Sequence, residues 1–264
     1  MKFTWYIALT YFKGRKRKSR FLSFIKIMAI SGVAIGSAGL LIALSIVHGF
    51  KSTINDKIVG FAPHITIHSF TGQPLQRADT LETYLLSFDG VEDVQSVFTG
   101  QVMIQSARDV SGTLIKGVPL PGDITDLKSY ISEGEYDLDI QESGLPGLIL
   151  GAELANTIGA DIGSRVTTYA IDGLPSPFNT PEIQQFTLTG IYQTGIDRFD
   201  DNYALAEVES VGNLFAQNMV GASSMEVKVS DSRDIERVYQ QIRDNTQFPL
   251  ITESIYQRFR NIFA

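Results

Sequence analysis

Two small groups of residues have types and spacing that could do chemistry. His64 and His68 stand four apart in "HITIHSF", and on a strand that spacing puts both on one face, the start of a metal pair. No H-E-x-x-H pattern surrounds them, and Pro63 interrupts a helical reading, so ordinary strand residues are the competing reading. "DRFDD" brings Asp197, Asp200 and Asp201 together as oxygen ligands for Ca²⁺. It lacks the EF-hand spacing and terminal Glu, and reads better as a solvated turn. No pair of carboxylates stands out as a catalytic dyad. The expected metal set and catalytic set are both empty.

Nucleotide and acyl chemistry are also without a signature. No G-x-x-x-x-G-K-[ST] occurs; "GVAIGSAG" has the glycines without the lysine. No G-x-S-x-G elbow occurs either. The chain has no cysteine, which excludes disulfide frameworks, thiol chemistry and Cys-type zinc sites. No cofactor is expected.

The elements that would position any site begin with a long apolar run. Ile27 to Val47 is 21 residues without a charge. At about 1.5 Å per residue this helix crosses a hydrocarbon core of about 30 Å. A cleaved signal has a shorter apolar region and a small-x-small cleavage site, which "SIVHGF" does not offer. The run is therefore read as a membrane anchor over 21–50. Eight Lys and Arg and no acid precede residue 50, whereas 51–264 carries −15. Basic residues before a span stay on the cytoplasmic side, so the N-terminus is expected inside and the acidic remainder outside. "KGRKRKSR" against a span is a topology signal and an anionic-lipid contact, and the acidic exterior argues against nucleic acid. Upstream, Trp5, Tyr6, Tyr11 and Phe12 suit an interfacial segment within 1–20. Gly32, Gly36 and Gly39 give the span a small-residue face suited to packing against other membrane helices.

Beyond the anchor the fold class is α+β. A helical stalk over 51–61 ends at Gly60 and Pro63, and "HITIHSF" starts a strand. "DTLETYLLSF" is an amphipathic helix opened by Asp79, with Leu81, Tyr84 and Leu85 on one face. Two strands follow, "VEDVQSVFTGQVMIQSA" and "GTLIKGVP", with a turn at "RDVSG". "GLILGAELANTIGADIGSRVTTYAI" is strand, short helix, turn, strand. "QQFTLTGIYQTG" and "NYALAEVES" are β-rich, and a helix covers "VESVGNLFA". "SSMEVKVSD" alternates, and "SRDIERVYQQIRDN" is a capped helix with Ile235, Val238 and Ile242 inward. A β-α pair at each end implies one sheet domain interrupted by an inserted β-rich part. "ESIYQRFRNIFA" reads as the approach to a further span.

The ordered set of these segments resembles lipoprotein-releasing (Lol-type, LolC/LolE) ABC transporter permeases. The residues that carry the resemblance are the basic run, the Gly/Ser-rich span and "IVHGFKSTINDKIVGFAPHITI". "GTLIKGVP", "GLILGAELANTIGADIGSRVTTYA" and "FTLTGIYQTGIDRFDDNYALAEVES" then follow in the family's order. The resemblance implies an N-terminal transmembrane helix followed by a MacB-like periplasmic core. Its Porter-like part would be 62–117 and 222–252, its inserted Sabre-like part 118–221, and 253–264 the approach to a missing second span. It further implies a non-catalytic permease subunit in the inner membrane that extracts lipoproteins and hands them to a periplasmic carrier. The implied partners are a separate ATP-binding subunit, a second permease copy or paralogue, and membrane lipids. Lipid-facing residues would be Leu40, Leu41, Leu44 and Val47. A Pro-rich loop over 172–184, with Leu174, Pro175, Pro177, Phe178 and Pro181, would dock the carrier. Full-length members have three more spans, so a truncated chain is expected. The alternatives are a MacB- or FtsX-like permease for efflux or wall-hydrolase regulation, and a single-span adaptor or receptor with an extracytoplasmic binding domain.

Overall fold

The computed structural model describes residues 6, 20–75, 77–171, 182–215 and 222–260. It comprises two compact units, Met1–Ile54 and Asn55–Ala264.

Helix α1 (Arg20–Phe61) begins before the apolar run and continues past it. Its segment Phe24–Gly49 is long and apolar enough to cross a membrane, and none of it is buried within the molecule. The hydroxyls of Ser31, Ser37 and Ser45 donate to the carbonyls of Met28, Ala34 and Leu41 on the preceding turn. That satisfies them within the helix, as a hydrocarbon environment requires. The helix stops at Phe61, two residues before Pro63, because proline disfavours helical backbone at the residue ahead of it.

In the second unit, alternation builds the first sheet. Strands β1 (Ile65–Ser69), β9 (Ser224–Val229), β10 (Leu250–Ser254) and the first half of β2 (Val91–Gln105) lie in the order β10-β1-β9-β2, antiparallel throughout. The register sets Ile65, Val227 and Val94 in one row and Ile67 and Met225 in another, all buried. Helices α2 (Ala78–Leu86) and α6 (Ile235–Asn245) pack on this sheet. The inward face of α6 is Ile235, Val238, Tyr239 and Ile242, three of which follow from its periodicity. On α2 only Leu85 is buried. Tyr84 turns outward and meets Phe88 edge-on, and Asp79 lies in the first turn, not at the cap, where Arg77 sits in the left-handed region. Strand β10 follows α6 so closely, across Thr246–Pro249, that its short run "LITES" carries no alternation signal of its own.

β2 does not end with this sheet. From Phe98 onward it pairs with β3 (Val110–Val118) and with β6 (Arg165–Ala170). The turn to β3 falls at Ser106–Asp109, earlier than the glycine at 112 implies. The remaining pairs are β3 with β8 (Tyr203–Glu207), β8 with β5 (Gly147–Gly151), β5 with β7 (Ile183–Tyr192) and β7 with β6. Six strands therefore close into a ring, and β4 (Ile131–Gly134) adds to β7 outside it. Closure leaves no free edge within the ring. One core cluster fills it, including Phe98, Val102, Leu148, Phe186 and Leu188, with Leu154 and Ile158 from α3 (Ala152–Ile158) and Val211 and Leu214 from α5 (Val208–Leu214). Short helices α4 (Asp197–Asp200) and α7 (Ile255–Arg258) and two 3-10 turns, Asp126–Tyr130 and Ser232–Asp234, complete the described elements.

Candidate functional site

The two histidines are not a pair. His64 precedes β1, and both its ring nitrogens are engaged by backbone. Nδ1 accepts from the Val229 N–H at 2.9 Å, so Nε2 carries the proton and donates to the Val59 carbonyl at 3.1 Å. Burial is the main cause that holds its pKa below the ordinary value of 6.5. His64 thus ties the end of α1 to β9. At "DRFDD" Asp201 is exposed, as a solvated turn implies, but Asp200 is not. The Asp200 carboxylate is buried and accepts from Thr194 N (2.8 Å), Thr194 Oγ1 (2.7 Å) and Gly195 N (2.9 Å). Among the described residues no group of three or more His, Cys, Asp or Glu side chains comes together as a metal site.

This braced loop receives the last turns of α1. Lys57 Nζ donates to the Thr194 carbonyl at 3.0 Å. The Phe61 ring meets Phe199 edge-on at 4.3 Å, and Phe199 also contacts Phe259 at 5.3 Å and Tyr203 at 5.9 Å. The segment entering the domain through α1 and the segment following α7 therefore share one aromatic contact. Tyr192 lies beneath, its hydroxyl within reach of the Phe199 and Tyr203 carbonyls, and burial pushes its phenol pKa up.

Beside it lies a charged cluster that no motif announces. Strand alternation sets Gln95 and Glu226 opposite each other, one residue out of step with the apolar rows of the first sheet and hence on its other face. Lys116 reaches them from β3, and Asp123 from the loop that follows. Lys116 Nζ stands 2.8 Å from Asp123 Oδ2 and 2.7 Å from Glu226 Oε2. The Gln95 amide donates to Asp123 Oδ1 (2.9 Å) and Glu226 Oε2 (2.8 Å), while its carbonyl accepts from Ile124 N (3.1 Å). Burial pulls the Lys116 pKa down, but Asp123 and then Glu226 outweigh it and hold the ammonium above its ordinary value. At Asp123 burial acts the other way; the Lys116 charge wins and the carboxyl stays below its usual range. Burial, then the Asp123 charge, raises the Tyr136 phenol to about 12. The Lys116 and Asp123 charges are thus retained in place. The signal in the sequence was a lysine inside "TLIKGV" and a glutamate inside "SMEVKV", polar positions in otherwise apolar strands.

A cavity of about 370 Å³ opens over this cluster, with Phe61, Phe199, Tyr203, Phe259 and Arg258 also on its wall. The residues singled out on the span lie elsewhere. Leu40, Leu41, Leu44 and Val47 are each more than half exposed. At about 100° per residue Leu40, Leu44 and Val47 share a face adjoining that of Gly32 and Gly36, and Leu41 lies on another. A Cβ on Gly32, Gly36 or Gly39 would meet nothing within 4 Å. Leu174, Pro175, Pro177, Phe178 and Pro181 lie outside the described residues; Ile183 and Gln184, at the end of the expected loop, are already in β7.

A long apolar helix joined to an α+β unit with a four-stranded sheet and a strand ring defines a membrane-anchored domain protein. The chain belongs to the MacB-like periplasmic core domain family, which it matches over residues 27–245. It is 28% identical over 221 residues to "Lipoprotein-releasing system transmembrane protein LolC" of Neisseria meningitidis serogroup B, covering 80% of this chain and 50% of that protein. The protein of that name from Xylella fastidiosa is 26% identical, over 85% and 54%. The LolE protein of the same system from Haemophilus influenzae is 21% identical, over 88% and 56%. The chain spans about half the length of the curated relatives it matches. Among solved structures it is similar to the periplasmic region of MacB from Actinobacillus actinomycetemcomitans (TM-score 0.47, 9% identity, 77% of this chain and 94% of that one). It is also similar to the extracellular domain of the ABC-type transporter YknZ from Gram-positive bacteria (TM-score 0.46, 14% identity, 72% and 99%).

Proposed function

We propose that this chain supplies the first span and the periplasmic domain of a permease subunit in a lipoprotein-releasing ABC transporter of the inner membrane. The observation that carries the reading is the match to LolC and LolE proteins over 80% and 88% of the chain. Orientation follows the basic run: N-terminus in the cytoplasm, domain in the periplasm. The subunit is non-catalytic; a separate ATP-binding subunit hydrolyses ATP, and a second permease copy or paralogue completes the membrane part. In this reading 62–117 and 222–252, which hold the first sheet with its helices and also contribute β3 and the second half of β2 to the ring, are the Porter-like part, and 118–221 is the Sabre-like insertion. Lys57, Phe61 and His64 grip the end of α1 within the domain, which supports transmission of motion along that helix. In this reading Leu40, Leu44 and Val47 face the lipoprotein, Gly32, Gly36 and Gly39 face neighbouring helices, and the loop around Phe178 meets the carrier.

Site-specific photo-crosslinking in native membranes tests it, with probes at Leu44, Val47 and Phe178. Lipoprotein adducts at the first two and a soluble lipoprotein carrier at the third are expected. Capture at Phe178 of a wall hydrolase or an efflux tunnel protein, with no lipoprotein at Leu44 or Val47, overturns the function and leaves the fold standing.

A further inference from the structure

The cavity over Lys116 is polarised. Its floor holds one ammonium against two carboxylates, a net charge of −1, with side chains 3–11% exposed. Three of the four carboxylate oxygens are engaged by Lys116, Gln95 and the Thr125 N–H. Glu226 Oε1 makes no hydrogen bond to the described residues. Toward solvent stands Arg258, its side chain 36% exposed, whose one ionic partner among the described residues is Glu253 at 4.0 Å. That distance is too long for a hydrogen bond, and the guanidinium makes none to the described residues. Phe61, Phe199 and Phe259 also line the cavity.

A lone anion entering would meet the negative floor, and a lone cation would meet Arg258 first and Lys116 beyond it. A molecule with both charges meets each with its complement. Aromatic rings favour the ammonium over the anion on the way in. The volume lies at the small end of ligand pockets, about 300–1,000 Å³.

We propose that this cavity binds a small zwitterion, its ammonium at Glu226 and its carboxylate or phosphate at Arg258. The same chemistry is offered by a free amino acid or aminoalkyl phosphate and by an ethanolamine phospholipid headgroup. The site is independent of the transport reading, since it needs neither ATPase nor lipoprotein, and failure of either leaves the other intact.

The full chain in phosphatidylglycerol nanodiscs, which carry no ammonium headgroup, is titrated with O-phosphoethanolamine, ethanolamine and inorganic phosphate by saturation-transfer NMR. The zwitterion is expected to bind about tenfold or more tightly than either half, and Arg258→Gln to lose about tenfold of that. Arg258 is exposed, so this variant tests binding without risk to the core; Glu226→Gln is read only with an unchanged thermal melt. Equal binding of ethanolamine or phosphate alone, or unchanged binding in Arg258→Gln, overturns the proposal. Repeating the titration with phosphatidylethanolamine in the disc separates the sources: weakened apparent binding of the probe supports the lipid headgroup, and unchanged binding supports the free solute.

Discussion

Replacing Lys116 by methionine would leave Asp123 and Glu226 buried together without their counter-charge. Breaking such a cluster costs about 3–5 kcal/mol, and a lowered urea midpoint with an unchanged slope is the expected readout. The triple change K116M/D123L/E226M removes every charge of the cluster at once and should cost less than the single one, because none of these ions is left unpaired. His64 gives a pH dependence of determinate sign. Its folded pKa lies below the ordinary 6.5, so between the two values the unfolded chain binds a proton that the folded chain does not. The stability due to His64 is therefore whole above about pH 6.5 and declines as pH falls through the window beneath it. Urea unfolding at about pH 7.5 and about pH 5.5 should show this, and His64→Gln should flatten the difference. Protonation would also place a hydrogen on Nδ1, where Val229 N–H now donates.

Among the elements, the junction of β5 and α3 has no room for added volume. A Cβ on Gly151 would lie 2.2 Å from the Asp200 carbonyl oxygen. That carbonyl cannot retreat easily, because the Asp200 side chain is bonded to Thr194 and Gly195. Gly151→Ala should cost about 1–3 kcal/mol through overpacking. Gly112 on β3 is the control, since nothing lies within 4 Å of its would-be Cβ; Gly112→Ala should stay within about 0.5 kcal/mol. Paired thermal melts check both. The same elements show how far periodicity reaches. In α6 the spacing of Ile235, Val238 and Ile242 identifies the buried face, because a helix packed on one side must place its apolar residues there. In α2 that reasoning fails at Tyr84: the helix touches the sheet chiefly through Leu85, and a tyrosine can lie outward against Phe88.

For the whole molecule, the unit Asn55–Ala264 has its own core, beginning with Ile58 and closed by the six-stranded ring. Residues 51–264 carry −15, which opposes self-association. Residues 55–264 produced alone should therefore be a water-soluble monomer that unfolds in one cooperative transition, measurable by light scattering and circular dichroism melting. Two separated transitions would mean that the sheet and the ring are independent units despite sharing β2.

By itself the sequence determined the properties set by neighbours along the chain. The apolar length of Ile27–Val47, the charge step at its boundary, the strand alternation of Met225, Val227 and Val229 and the absence of thiol chemistry all follow from local composition and period. Only the tertiary structure decided which distant residues meet. Lys116, Asp123 and Glu226 come from three segments and were invisible as a cluster, because register across β2 and β9 and the reach of a loop bring them together. The closing pair of β6 with β2 likewise spans the chain from Val102 to Ala170. Asp200 read as a solvated acid because burial of a carboxylate depends on donors that a turn supplies only once it is folded. Periods are local, whereas partners are chosen by the path of the whole chain.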